Sequence, residues 1–223
     1  MRFLIAQGIA LLSLTYGSYR DLKTREIPDF PWLVMGAAGV VLRVQDHQWK
    51  MMALSLGVSL FLGFILAVSG LFGGADVKAF LALSLLIPTY SIGFPVFVVS
   101  VFNNLVVIRV IEIFVVLFYN LVKGHTYGGE ISWWKRIVLY MTGFPRLKEA
   151  LDYRFLPLQD AEGTLHLLPD IDTDIDKFKA ECKLKEIWVT YGSPLIAYMT
   201  VACVIAFVKG DIVLHLMNYF IGF

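Results

Sequence analysis

The stretch AFLALSLLIPTYSIGFPVFVVSVFNNLVVI, residues 79–108, contains no lysine, arginine, aspartate or glutamate. Uncharged apolar runs of about 18 or more residues are typical of membrane-spanning segments. Three further uncharged runs have the same character, at 3–19, 51–75 and 187–208. The chain of 223 residues is 58% hydrophobic and 17% charged, whereas soluble domains carry about 25% charged residues. The sequence therefore predicts an integral membrane protein.

Charged residues and prolines divide the apolar sequence into six predicted spans, at 2–20, 30–43, 51–72, 77–88, 95–122 and 187–208. The fourth span is short, since at about 1.5 Å per residue it covers roughly 18 Å of a hydrocarbon core about 30 Å thick. A short span thins the bilayer locally or borders a polar cavity. The tail 211–223 is apolar but too short to cross. We predict an all-α membrane protein with about six transmembrane helices.

The only sizeable polar region of the sequence lies between the fifth and sixth spans, at 123–186. Within it, Arg154–Leu158 and Thr164–Leu168 flank a loop that contains glycine, which is typical of a β-hairpin. Residues 176–186 have the composition of a helix, so we expect a small α+β insertion. The predicted organisation is a set of five transmembrane helices, a soluble insertion, and a sixth helix with an apolar tail, at 1–122, 123–186 and 187–223.

Lysine and arginine placement predicts the orientation of the spans. With the N-terminus outside, the loops after the first, third and fifth spans face the cytoplasm and carry most of the basic residues. The predicted location is a multi-pass position in the cell membrane, with the 123–186 loop in the cytoplasm. In this topology Asp21 and Asp76 both lie at cytoplasmic ends of helices.

Composition argues against several kinds of partner and cofactor. The net charge of +1 indicates neither nucleic acid nor an acidic partner. Cys182 lies in the polar loop and Cys203 in an apolar span, so they form no zinc motif and we expect no disulfide. The acidic run 170–181 has the spacing of a calcium loop, but Ile175 stands where that loop needs glycine. We therefore expect no metal or other cofactor, and the lipid bilayer as one partner.

Asp76 stands at the head of a short apolar helix, directly after Gly73, Gly74 and Ala75. Aspartate is a favoured N-cap, so Asp76 could cap a helix that begins at Val77, with the glycines as turn residues. Ionisable groups at membrane depth are expensive, however, and tend to be functional. The two roles are compatible because a helix N-terminus also holds a carboxylate in place.

A second aspartate is predicted at the same membrane face as Asp76, as a catalytic pair of carboxylates would require. Asp21 ends the first span, where it could also be a solvated charge among basic neighbours, and Asp29 looks like a helix cap beside Pro28. Two carboxylates that share a site do not both ionise cheaply. The charged one can act as general base on a water, and the protonated one can polarise a peptide carbonyl. Asp21 and Asp76 meet the necessary condition of lying at one face.

Two sequence motifs resemble those of the prepilin peptidases, membrane aspartic proteases of the GxGD type. The pattern Asp-x-Lys-x-Arg-x-Ile-Pro occupies 21–28, and Gly-x-Ala-Asp occupies 73–76. The chain most resembles the archaeal preflagellin peptidases, which are six-span proteins of about this size. The resemblance implies that the two motif aspartates form the catalytic pair, Asp21 and Asp76. It implies a supporting role for the other motif residues, Gly73, Gly74, Ala75, Lys23, Arg25 and Pro28.

The resemblance also implies a substrate, the short basic leader of archaellin or prepilin-like precursors, cut at the cytoplasmic face. The insertion 123–186 is a candidate for engaging that leader. The family often has glycine where this chain has Ala75, and its archaeal branch tolerates a small hydrophobic residue there. Larger bacterial members commonly carry a cysteine-rich zinc region and an N-methyltransferase activity, which a chain with two cysteines does not support.

The charged residues Arg109 and Glu112 lead to alternative functions. Arg109 and Glu112 lie on one face of the fifth span, where we expect them to form a structural ion pair. If they instead lined a pathway with Asp76, the chain would be a small ion-coupled or proton-coupled transporter. The absence of inverted sequence repeats weakens that alternative. A scaffold without activity would tolerate changes at both motif aspartates.

Overall fold

The structure, a computed structural model, describes residues 1–68, 73–90, 92–169 and 173–222, and only the backbone of 66–68. Its helices are α1 (Arg2–Thr24), α2 (Phe30–Gln45), α3 (Trp49–Val68), α4 (Gly74–Leu86), α5 (Phe97–Lys123), α6 (Trp133–Thr142), α7 (Ile175–Glu181), α8 (Leu195–Lys209) and α9 (Ile212–Ile221). Its strands are β1 (Phe144–Leu147), β2 (Phe155–Pro157) and β3 (Glu186–Tyr191). The end of the third predicted span and the start of the acidic run 170–181 lie outside the described residues.

The chain forms two compact units. The first contains Met1–Ile108 and Pro194–Phe223, and the second contains Arg109–Ser193. The predicted insertion 123–186 lies within the second unit, which begins inside α5 rather than after it. One reason is Asn120 of α5, a buried residue whose amide donates to two carbonyls at the end of α6, those of Tyr140 and Gly143. The last turns of α5 are thereby part of the second unit.

Small residues on one face of α1 let neighbouring helices approach in the first unit. Ala6, Ala10 and Gly17 are buried along this face, which ends at Asp21. Small residues one helical turn apart are typical of helix contacts inside membranes, because backbones can come close. The face packs against α2 and α8. It therefore places the last turn of α1 in the interior of the unit.

The short helix α4 is held tightly by α2. A Cβ atom on Gly39 of α2 would lie 2.6 Å from the carbonyl carbon of Leu85 and from the amide nitrogen of Leu86. Arg43, one turn further along α2, is buried and donates to the Leu86 carbonyl at 2.9 Å. A cation at a helix C-terminus is favourable because carbonyls there have no intrahelical partner. Helix α4 also contacts α1 and α3.

The predicted number of spans is not confirmed. In the described ranges, α5 is the one helix long and apolar enough to cross a membrane. Helices α8 and α9 pass the same test together as a pair bent by 52°, and Phe30–Gln45 and Trp49–Ile65 are shorter apolar helices. A mostly helical fold with a small sheet is what the structure supports, and six crossings stay a prediction.

The predicted start of the sixth span at residue 187 is wrong. Residues Glu186–Tyr191 form strand β3, and helix α8 begins only at Leu195, after Pro194. The strand sequence EIWVTY contains the β-branched and aromatic residues that suit a sheet. An apolar run of this length does not by itself distinguish a strand from the first turns of a helix.

The sheet of the second unit has the order β1-β3-β2, and both pairings are antiparallel. The predicted hairpin is present in reduced form, as β2 followed by an isolated bridge between Gln159 and Leu165. Its turn is organised by Asp160, whose carboxylate accepts the backbone N–H of Thr164 at 2.8 Å. This hydrogen bond lowers the pKa of Asp160 from its usual value. Strand β3, the central strand that joins the other two, was not predicted from the sequence.

Candidate active site

Asp21 lies one turn before the end of α1 and is only 7% exposed. Its Oδ2 accepts the backbone N–H of Ile196 at 3.1 Å, and the N–H of Ala197 also interacts with this carboxylate. Both amides belong to the first turn of α8, where backbone N–H groups have no intrahelical acceptor. The guanidinium of Arg25 lies 3.5 Å from Oδ1. Backbone amides and one cation therefore hold this carboxylate inside the unit.

Two local features bring α8 to Asp21. Gly17, one turn earlier on α1, leaves space that a Cβ atom would fill, at 2.8 Å from the Trp32 ring and 3.1 Å from the side chain of Ile196. Pro194 is the N-cap of α8, and a proline at a helix start fixes the backbone without removing a needed donor. The close approach and the defined helix start direct the amides of α8 at the carboxylate.

Asp76 is the third residue of α4 and is 9% exposed. Its Oδ2 accepts the backbone N–H of Gly73 at 2.8 Å. The helix begins at Gly74 with Gly73 as its N-cap, so the prediction that Asp76 caps a helix from Val77 is wrong. Its carboxylate instead reaches back one turn to the N-cap amide, which is the acidic half of a capping box. This bond fixes the side chain at the helix N-terminus.

The structure brings the two aspartates into one site within the first unit. Helices α1 and α4 contact each other, and the negative charge of Asp21 acts on the carboxylate of Asp76. Less than a tenth of each residue is exposed. Two buried carboxylates on contacting helices are compatible with general acid–base hydrolysis by a carboxylate pair.

Comparison with known proteins gives the family. The family model of the type IV leader peptidases matches residues 8–128, which include both aspartates and more than half of the chain. The chain belongs to the type IV leader peptidase family. It is accordingly a membrane-associated protease, and the aspartic type is the class of that family.

Three relatives of this peptidase align along nearly its whole length, each named preflagellin peptidase. The protein of Methanococcus maripaludis is 26% identical over 94% of this chain and 96% of its own length. That of Methanocaldococcus jannaschii is 27% identical over 91% of this chain and 93% of its own. That of Methanococcus voltae is 26% identical over 96% of this chain and 99% of its own.

The glycines of the second motif have no steric need to be glycine in this conformation of the peptidase. Among the described residues, a Cβ atom on Gly74 would meet nothing within 4 Å, and one on Gly73 would make only an ordinary contact, at 3.5 Å from Asp76 Oδ2. Gly73 has φ −80° and ψ 165°, an extended conformation open to any residue. Ala75, half-buried in the first turn, fits the helix well.

Of the basic residues in the first motif, Arg25 is the one that contacts Asp21. It ends α1 with φ 59°, a left-handed conformation that is uncommon outside glycine. Lys23 is exposed and donates to the Tyr19 hydroxyl at 3.0 Å. Pro28 is exposed and precedes Asp29, the N-cap of α2. The structure thus separates the motif into a buried part at the site and an exposed part.

Asp29 has a surface role in the peptidase. Its carboxylate lies 2.6 Å from the Nζ of Lys78, and both side chains are more than half exposed. No side-chain capping hydrogen bond to α2 is present at this position. Asp29 is thus exposed and ion-paired, and the side-chain capping bond that the sequence predicts is missing.

Arg109 and Glu112 form the ion pair that the sequence predicts, within the second unit. Ser193 completes a small cluster, because its hydroxyl contacts Arg109 and donates to Glu112 Oε1 at 2.9 Å. The cluster links the first turn of this unit to its last residue. These contacts agree with the structural ion pair that the sequence predicts.

The main-chain partner of Asp21 was not predicted from the sequence. The amide of Ile196 gives no sequence signal of its own, because every residue except proline carries one. The available signal was Gly192-Ser193-Pro194, a turn sequence directly before an apolar run. Read as a helix start, it would have placed free N–H groups at residues 195–197.

Proposed function

We propose that this chain is a membrane aspartic endopeptidase that removes the short basic leader from preflagellin (archaellin) or type IV prepilin-like precursors. Asp21 and Asp76 are its catalytic pair in this proposal. The observation that carries it is the pair of buried, interacting carboxylates at the ends of α1 and α4. The names of the three relatives support the substrate.

The proposed mechanism uses the two carboxylates in opposite protonation states. The ionised one takes a proton from the attacking water, and the protonated one donates a hydrogen bond to the oxygen of the scissile carbonyl. A proton then passes to the leaving amine. The amides of Ile196 and Gly73 each hold the Oδ2 of one carboxylate, and Arg25 lies 3.5 Å from the Oδ1 of Asp21. Orientation by fixed backbone groups reduces reorganisation during the reaction.

We further propose that the chain crosses the membrane several times and that the site faces the cytoplasm. The placement of lysine and arginine supports this orientation. The position of Asp21 near the C-terminus of α1 and of Asp76 near the N-terminus of α4 is compatible with one membrane face.

The test is cleavage of a leader-bearing precursor by the protein in proteoliposomes, followed by mass spectrometry of the product. Asp21→Asn and Asp76→Asn keep the side-chain shape and an acceptor oxygen for the amides of Ile196 and Gly73, but remove the acid–base group. We expect each to lower kcat by about 10² to 10⁴-fold. Near-normal cleavage by either variant would contradict the catalytic pair.

Asp29→Asn is the matched control. It removes a carboxylate from the same region of sequence but breaks only an exposed ion pair with Lys78, and such pairs contribute little. We expect its kcat to stay within about threefold of the unchanged protein, since surface substitutions usually alter stability by less than about 0.5 kcal/mol. A loss as large as that of Asp21→Asn would show that the assay reports general damage.

A further inference from the structure

Helix α6 in the second unit exposes large apolar side chains to its surroundings. Trp133 is 75% exposed, and Trp134 and Ile137 are each about half exposed. Trp133 and Ile137 are four residues apart and so share one helix face, and Trp134 adjoins that face. A contiguous exposed patch of this kind is characteristic of an interaction site. We call these three residues the α6 face.

The α6 face lies in the first turns of the helix, whereas the last turn joins the helix to its own unit. Leu139 is fully buried and packs with Leu158 and Trp188. It follows Ile137 by two residues and therefore lies about 200° around the helix from it. The ring of Tyr140 also contacts Trp188, with ring centres 5.3 Å apart. Tyr140 shares the helix side of Trp133 and Ile137 but lies in the last turn, so the end of α6 joins the core while the α6 face, in the first turns, stays exposed.

Two basic residues accompany the α6 face. Lys135 and Arg136 are exposed and lie on either side of the direction of Leu139, at the flanks of the helix. Long basic side chains can extend along a helix while their charged ends stay in water or near phosphates. Tryptophans on one face with lysine and arginine beside it are typical of a helix lying in a membrane interface.

The same unit fixes α6 beside a membrane-crossing helix. The part of α5 in this unit exposes Phe114, Phe118 and Val122, side chains suited to contact with lipid. Near the C-terminal end of α5, the side-chain amide of Asn120 donates to the carbonyls of Tyr140 and Gly143 at 2.8 and 2.7 Å. These bonds tie the end of α6 to the last turns of α5. A helix anchored there is next to the point at which α5 leaves the bilayer.

We propose that α6 lies in the headgroup region of an anionic lipid bilayer. Trp133, Trp134 and Ile137 enter the upper acyl-chain region, and Lys135 and Arg136 contact lipid phosphates. The occupant of the α6 face is thus a lipid surface. The apolar exposure, the basic flanks and continuity with the lipid-facing surface of α5 carry this assignment, which is independent of the peptidase activity.

The test places a fluorophore on the α6 face of the full chain in nanodiscs. Ile137→Cys is labelled with an environment-sensitive dye in a background with Cys182→Ala and Cys203→Ala, both of which replace buried thiols. We expect blue-shifted emission, and several-fold stronger quenching by lipids spin-labelled just below the headgroup than by a water-soluble quencher. The same dye at Glu162→Cys, an exposed turn residue, serves as the comparison and should be quenched from water.

A second variant tests the charge component. Lys135→Gln with Arg136→Gln keeps the length of both side chains and leaves the α6 face intact. With Lys135 and Arg136 present, we expect lipids to quench the Ile137 label more strongly in phosphatidylglycerol nanodiscs than in phosphatidylcholine nanodiscs. In the double Gln variant, we expect lipid quenching to be equal in the two kinds of nanodisc.

Two results would overturn the proposal. If the Ile137 label is quenched mainly from water, the α6 face is solvated. If the label is protected from both quenchers and a bifunctional reagent joins two chains through Ile137→Cys, the occupant is a second copy of the protein and not lipid.

Discussion

At the scale of single residues, the site is organised by backbone amides. Asp21 is held by the first turn of α8, and Asp76 by the amide of its own N-cap, Gly73. Amides at helix N-termini are fixed by the helix and need no side chain to be positioned. In the proposed protease site, these amides would orient both carboxylates.

The amide of Ile196 can be removed without deleting any side chain of the site. Ile196→Pro removes the N–H within the first helical turn, where proline is tolerated. A hydrogen bond to a charged group contributes about 1.5–3 kcal/mol, so we expect kcat for leader cleavage to fall by roughly 10 to 100-fold.

Ile196→Ala is the control for the Ile196→Pro prediction. It truncates the same fully buried side chain but keeps the amide, and should therefore lower the unfolding temperature with a smaller effect on kcat. Thermal unfolding in detergent and cleavage kinetics on both variants provide the comparison. Equal kcat values for the two would mean that the amide does not orient Asp21.

The contrast between Asp21 and Ile196 shows how far sequence could predict the site. Sequence could propose both motif aspartates as the catalytic pair, because their spacing and their motif neighbours are side-chain properties. The partner amide was not, since it depends on where α8 begins and on the space left by Gly17. Arg25 was predictable as a motif residue, but its contact with Asp21 follows from the left-handed end of α1.

At the scale of elements, the position of Asp76 depends on how α4 is packed. The helix has only 13 residues, so its own hydrogen bonds give it marginal stability. Gly39 of α2 lets the two backbones touch, and Arg43 binds the terminal carbonyl of Leu86. These contacts at the far end of α4 hold the element that carries Asp76 at its near end.

Gly39→Ala should therefore damage the site from a distance. The added methyl group would lie 2.6 Å from backbone atoms of Leu85 and Leu86, and backbone atoms yield only by moving α4. Overpacking of this kind costs about 1–3 kcal/mol, so we expect a lower unfolding temperature together with reduced leader cleavage.

Gly36→Ala, on the same helix, is the matched substitution for Gly39→Ala. Its Cβ would lie 3.6 Å from a Leu85 side-chain atom, an ordinary contact. Replacing glycine by alanine inside a helix gains about 0.5–1 kcal/mol, so stability should be unchanged or higher. If both variants unfold at the same temperature, the close approach of α2 to α4 is not important.

Sequence predicted the short helix α4 but not strand β3, and the difference is physical. Glycines at the start of α4 and Pro88 after its end are strong sequence signals of helix boundaries. Strand β3 continues into an apolar segment, so its residues were absorbed into the following span. Its assignment depends on pairing with β1 and β2, which are distant in sequence.

At the scale of the whole molecule, the described residues form one hydrophobic core in the first unit and two in the second. One contains residues of α1, α2, α4, α5 and α8, and another contains residues of the sheet and α7. Composition could predict the membrane class because uncharged runs dominate the chain. It could not place the unit boundary, because that boundary falls inside the continuous helix α5.

Separate cores predict separate local stabilities. Ile187 of β3 and Met199 of α8 are both fully buried, one in each unit. Truncating either to alanine should cost about 2–5 kcal/mol.

In hydrogen exchange with mass spectrometry, Ile187→Ala should speed exchange in β1, β2 and β3 with little change in α1 and α4. Met199→Ala should do the reverse and also lower leader cleavage, because α8 supplies the amide that holds Asp21. Accelerated exchange spread evenly over both units in either variant would show that the chain unfolds as a single cooperative body.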